Sequence, residues 1–105
     1  MTERDLAQAR LLRIEAERVR LLLAAESEPS SRRLLAEHLE CIEARRFELL
    51  AWMISIPDDR VRLICLMRFA EGKSWETIAR RLHYDRTSPA KILRRWLKRD
   101  TPTDT

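Results

Sequence analysis

Gly72-Lys73-Ser74-Trp75-Glu76-Thr77-Ile78-Ala79-Arg80-Arg81-Leu82-His83-Tyr84-Asp85-Arg86-Thr87-Ser88-Pro89-Ala90-Lys91-Ile92-Leu93-Arg94-Arg95-Trp96-Leu97-Lys98 carries the most specific pattern in the chain. It reads as a short helix, a tight turn and a second helix. Ser74 caps the first, and Ile78, Ala79 and Leu82 then face inward at helical spacing. Ala79 is informative by its size, because two closely crossing helices leave no room for a larger side chain. Leu82-His83-Tyr84-Asp85 is the turn, with Tyr84 as the apolar plug between the helices. Asp85 or Ser88 caps the second helix. With Asp85 as cap, Pro89 would sit too far inside and lose a backbone hydrogen bond. With Ser88 as cap, Pro89 takes the first helical position, where proline is favoured, and this is the preferred reading.

The second helix has two distinct faces. Pro89, Ile92, Leu93, Trp96 and Leu97 make the apolar one; Lys91, Arg94, Arg95 and Lys98 follow i, i+3, i+4, i+7 on the other. An all-cationic outer face suits the major groove of double-stranded DNA, where helix N-terminal residues reach base edges and basic side chains neutralise phosphates. Arg86, Thr87 and Ser88 would lead into the groove. Arg80 and Arg81 end the preceding helix, which crosses the backbone in such a motif. The candidate DNA-contacting set is therefore Arg80, Arg81, Arg86, Thr87, Ser88, Lys91, Arg94, Arg95 and Lys98. From Lys73 to Arg99 nine basic residues stand against two acidic ones, a net +7, whereas residues 1–56 carry nine arginines and ten acids. A polyanionic partner would meet the C-terminal part.

Phe69 to Leu82 resembles the start of the helix-turn-helix in region 4 of bacterial sigma factors. It is closer still to the small phage transcription regulators of the ArpU and RinA type, which carry helical N-terminal extensions. Arg68, Phe69, Gly72, Ser74, Trp75, Glu76, Ile78, Ala79 and Leu82 match that pattern. Two positions depart from it: His83 stands where the turn usually has glycine, and Pro89 replaces a valine-like core residue. Histidine tolerates positive φ better than most residues, at a higher cost than glycine. The resemblance covers about Asp58 to Lys98 and implies DNA binding, with RNA polymerase as a second partner.

Outward from this motif the chain stays helical. Asp58 or Asp59 caps a helix running to Glu71, with Gly72 as its stop, and this helix is apolar nearly all round. Before it, a helix over about Ser31 to Ser55 places Leu35, Leu39, Ile42, Arg46, Leu49, Met53 and Ile56 in a 4-3-4-3-4-3 spacing, a heptad seam with one polar intrusion. The first helix runs from about Thr2 to Glu26 on a stripe of Ala9, Leu12, Ala16, Val19 and Leu23. Ser27-Glu28-Pro29-Ser30-Ser31 breaks the two apart, with serine as the next cap. The two long helices fold back as a hairpin within one chain or form a coiled-coil homodimer interface; the sequence leaves both open. The expected class is all-α. Its three parts are a helical hairpin or oligomerisation segment (1–56), a helix-turn-helix DNA-binding domain (57–99) and a disordered tail (100–105).

Composition narrows the function. Ala, Leu, Glu and Arg dominate, and valine appears only at Val19 and Val61, which favours helices over strands. No secretory signal is read at the N-terminus and no apolar run nears the ~18 residues of a membrane span, so a cytoplasmic protein without membrane contact is expected. Cys41 and Cys65 read as buried, reduced thiols. His38 and His83 have no Cys or acid at ligand spacing, so neither metal nor cofactor is expected. Trp52, Trp75 and Trp96 read as packing residues, and Glu40, Glu43 and Glu48 as a solvated face. No phosphate loop, nucleophile motif or carboxylate pair points to an enzyme. The expected function is a sequence-specific DNA-binding transcription regulator, phage or prophage encoded. Two rivals use the same motif: a phage small terminase subunit recognising DNA for packaging, and an RNA polymerase-binding adaptor that mimics sigma region 4.

Overall fold

The computed structural model describes residues 1–100, and among them there are helices and connections but no strand. Five helices follow in order: α1 (Glu3–Ala25), α2 (Pro29–Ile54), α3 (Asp59–Cys65), α4 (Trp75–Leu82) and α5 (Ser88–Asp100). α3 runs on as a π-helical turn, Leu66–Ala70. Helix α5 includes Asp100; the rest of the expected tail, 101–105, lies outside the described residues.

Side-chain caps set the helix starts. In α1 the Asp5 N–H donates to Thr2 Oγ1 at 3.1 Å, and the Thr2 N–H donates back to the Asp5 carboxylate at 3.0 Å. This reciprocal pair satisfies two orphan donors and holds the Asp5 carboxyl below its ordinary value, chiefly through the Thr2 backbone hydrogen bond. The break between α1 and α2 is shorter than the sequence suggests. Glu28, not a serine, caps α2: its carboxylate accepts the N–H of Ser30 at 3.2 Å and of Ser31 at 2.8 Å. Pro29 then occupies the first helical position, where it displaces no hydrogen bond. Arg32 reaches back to the Leu23 and Glu26 carbonyls at 2.7 and 2.8 Å and closes the end of α1. Asp58 is the cap of α3, accepting the Val61 N–H at 3.1 Å. Gly72 follows the π turn at φ +73°, a conformation that disfavours side chains, with the Arg10 side chain packed beside it.

α1 and α2 lie side by side in opposite directions. Ala16 and Val19 of α1 meet Ile42 of α2, with Leu12, Leu35 and Leu39 around them. The heptad seam is thus covered from within the chain, since Ile42, Leu49, Met53 and Ile56 are all buried against residues of the same molecule. A second, larger core gathers all five helices. It joins Leu6 and Ala9 to Leu49, Met53 and Ile56, then to Val61, Ile64, Cys65 and Phe69, and finally to Ile78, Leu93 and Leu97. Trp52 and Trp96 meet edge-on at 6.1 Å between ring centroids, tying α2 to α5 as packing residues. Because α1 and α2 extend well past this core, the radius of gyration is 16.9 Å, against about 13 Å for a compact chain of this length. No helix is long and apolar enough to cross a membrane, among the described residues.

The two cysteines differ. Cys65 is buried, and desolvation pushes its thiol up to about 12. Cys41 is exposed, against the expectation from sequence; it precedes the seam residue Ile42 and faces solvent on α2. A thiol-specific reagent at mildly alkaline pH is therefore expected to modify Cys41 in the folded protein and Cys65 only after denaturation, because the reactive thiolate is suppressed by burial. Equal labelling rates at both positions in the native protein would contradict this core.

Candidate nucleic-acid interface

α4 has only eight residues and depends on its ends. The Ser74 hydroxyl accepts the Thr77 N–H at 3.1 Å and itself donates to Thr77 Oγ1 at 2.9 Å. Glu76 lies in the first turn and Arg80 and Arg81 in the last, so charge opposes the helix dipole at both ends. Just before α4, Arg68 stacks over the Trp75 ring at 4.8 Å while its guanidinium donates to the Lys73 carbonyl at 3.1 Å. Phe69 meets the same indole edge-on at 6.5 Å. The approach to α4 is thereby held by two contacts on one ring, Arg68 and Phe69.

The turn after α4 is a Schellman motif. His83 takes the left-handed conformation, φ 60° and ψ 43°; its N–H donates to the Arg80 carbonyl at 3.4 Å, and the Tyr84 N–H to the Ala79 carbonyl at 2.8 Å. Histidine thus occupies the position that glycine fills most cheaply. Tyr84 is half-buried and lines a shallow recess with Glu76, Ala79, Arg80 and Arg86. The apolar plug expected from the sequence is thus only partly enclosed, and the fully buried side chains of α4 and the first half of α5 include Ile78, Pro89 and Leu93.

α5 starts one residue earlier than the sequence reading places it. Its first i→i−4 bond runs from the Lys91 N–H to the Thr87 carbonyl at 3.3 Å, which puts Thr87 rather than Ser88 at the cap position. Pro89 then lies in the first turn, where its missing N–H leaves no hydrogen bond unmade. Pro89, Leu93 and Leu97 are buried, and Ile92 and Trp96 are half-buried beside them. Lys91, Arg94, Arg95 and Lys98 are all exposed on the opposite side.

Of the other candidate residues, Arg80, Arg81, Arg86 and Thr87 are exposed and Ser88 is half-buried. Arg80 and Arg86 share the recess beside Tyr84. Arg95 shares a second depression with Asp58, Arg60, Val61, Ile92, Trp96 and Arg99. Arg60 and Arg99 thus join the cationic side without having been singled out in the sequence. Arg99 carries a readable signal, since it continues the stripe four residues after Arg95. Arg60 carries none, because only the packing of α3 on α5 brings it there. Arg94 differs from its neighbours: its Nε donates to one Glu3 carboxylate oxygen at 3.0 Å and a terminal nitrogen to the other at 3.2 Å. That contact raises the Arg94 pKa further. Among the described residues no group of three His, Cys, Asp or Glu side chains is placed to hold a metal ion.

Compared with known proteins, the chain matches no protein-family model, no curated protein and no solved structure.

Two substitutions test this local geometry. Ala79 is buried at the base of the turn, so Ala79→Leu is expected to cost ~1–3 kcal/mol by overpacking. Its thermal midpoint should fall visibly; an unchanged melt would mean that Ala79 is not enclosed. His83→Gly should act in the opposite sense. Removing the Cβ from a left-handed residue is expected to stabilise the fold by about 1 kcal/mol, read as a higher denaturant midpoint at unchanged slope.

Proposed function

We propose that the chain is a sequence-specific DNA-binding transcription regulator in which α4, the Schellman turn and α5 act as a helix-turn-helix and α1–α2 as a helical hairpin behind it. One observation carries this reading. α5 presents Lys91, Arg95 and Lys98 outward, while its opposite side is locked into the core through Pro89, Leu93 and Leu97. A rigidly held helix with a one-signed outer face is what major-groove insertion requires, and the exposed Arg80 and Arg86 flank it where the duplex backbone would pass. The resemblance of Arg68 to Leu82 to sigma region 4 supports the same assignment and the phage-type role.

In this reading Arg86, Thr87 and Lys91, nearest the start of α5, approach base edges. Arg95, Lys98, Arg80 and Arg81 meet phosphates and set register. One such unit reads only a few base pairs, so two chains on adjacent half-sites would gain affinity. Since the heptad seam is filled internally, such a pairing through residues 1–56 would use outer faces, where Leu11, Leu22, Leu34, Phe47 and Ile54 are exposed.

The test is binding to a duplex as a function of salt. Replacing Arg95 and Lys98 together by alanine is expected to reduce the log–log salt slope by about 1.8, at about 0.9 per lost phosphate contact. The parent should also select a preferred sequence from random duplexes. A variant with the parent's slope would exclude the outer face of α5 as the contact surface.

A further inference from the structure

The first turn of α1 is packed beside the helix that the reading above assigns to DNA. Leu6 is fully buried in the core that contains Leu93 and Leu97. The Thr2–Asp5 capping pair fixes the turn, so Glu3 projects from a defined position. It does not project into open solvent. Its carboxylate takes Arg94 through two parallel hydrogen bonds, at 3.0 and 3.2 Å, across 91 residues of sequence. Lys91, Arg95 and Lys98, the other cations of this face, are exposed beside it.

Two planar oxygens accepting from Nε and a terminal nitrogen reproduce the way a phosphate engages arginine. We propose that Glu3 is an intramolecular phosphate surrogate, which masks Arg94 and removes one cation from the DNA-facing surface of α5. This rests on the assignment of α5 to DNA and goes beyond it. The mask acts in two ways. It occupies the guanidinium edge that would pair with a phosphate, and it leaves a carboxylate beside the path of the backbone, where like charge opposes binding. The pair is partly exposed, with side-chain exposures of 59% for Arg94 and 37% for Glu3, so the contact is exchangeable rather than locked. Any partner that draws the first turn of α1 aside would expose one more phosphate contact on α5.

The experiment uses the full chain, a mixed-sequence DNA duplex and a salt titration. Four proteins are compared: the parent, Glu3→Gln, Arg94→Ala and the double variant, with Glu15→Gln as a control. Glu15 lies twelve residues further along α1, about 18 Å at the helical rise, and its loss changes net charge equally. Glu3→Gln is expected to bind more tightly than the parent at low salt and to steepen the salt slope by about 0.9, one phosphate contact. Its advantage should shrink by about 3.5-fold between roughly 50 and roughly 200 mM salt. Arg94→Ala should leave the salt slope nearly unchanged in the parent and flatten it by about 0.9 in the Glu3→Gln background, a coupling that a general charge effect does not produce. Circular dichroism on each variant reports whether the fold is kept. A Glu3→Gln variant that binds no better than the parent overturns the mask while leaving the DNA assignment standing, and so does an equal gain from Glu15→Gln. A parent that fails to bind any duplex at low salt overturns both.

Discussion

Everything else in the molecule depends on covering the apolar side of α5. A 13-residue helix and an eight-residue one cannot hold each other in water, since isolated helices of this length are marginal and their shared surface is small. Leu93 and Leu97 are buried in one cluster with Leu6, Leu49 and Met53 from the two long helices, Ile56 from the connection after α2, and Ile64 and Phe69. The direction in which the cationic side of α5 faces is set in the same way, by the burial of the residues on its inner side.

Local punctuation and distant packing divide the work between them. Thr2, Glu28, Asp58 and Ser74 each use a side-chain oxygen to satisfy backbone donors at a helix start, so element boundaries are fixed within four residues of sequence. The crossing of the elements is fixed by contacts far apart in the chain, such as the Trp52–Trp96 edge contact and the hydrogen bond from Arg13 to the Ala70 carbonyl at 3.2 Å. Arg13 also shows how cations are used away from α5: it satisfies a carbonyl at the end of the π turn, where backbone acceptors lack helical donors.

What the sequence made legible follows that division. The all-helical class, the Ser74 cap, the stop at Gly72 and the inward set Ile78, Ala79, Leu93 and Leu97 were readable, because each depends on spacing or on a neighbour a few residues away. The start of α2 departs from the sequence expectation, because proline looks like a breaker unless Glu28 is recognised as the cap that lets it open a helix. Tyr84 is legible as a residue of the turn, whereas its half-buried state is not, because exposure depends on how α4 and α5 cross. The heptad seam is legible as apolar apart from Arg46, yet nothing in its spacing says whether the covering helix belongs to the same chain. The Glu3–Arg94 contact had no signal at all, since a separation of 91 residues lies beyond any periodicity argument.

The unequal size of the two cores gives the long helices an internal gradient of stability. The outer half of the α1–α2 pair is held by Ala16, Val19 and Ile42 with a fringe of leucines, and by half-exposed pairs such as Arg20–Glu43 and Glu15–His38. Opening that end breaks few buried contacts and leaves Leu6 and Met53 in place, so it costs only part of the global unfolding free energy. Amide protons around Leu23 to Arg32 should therefore exchange through local opening, while those near Leu6 wait for the whole core. Along α1, protection should fall from Leu6 toward Leu23.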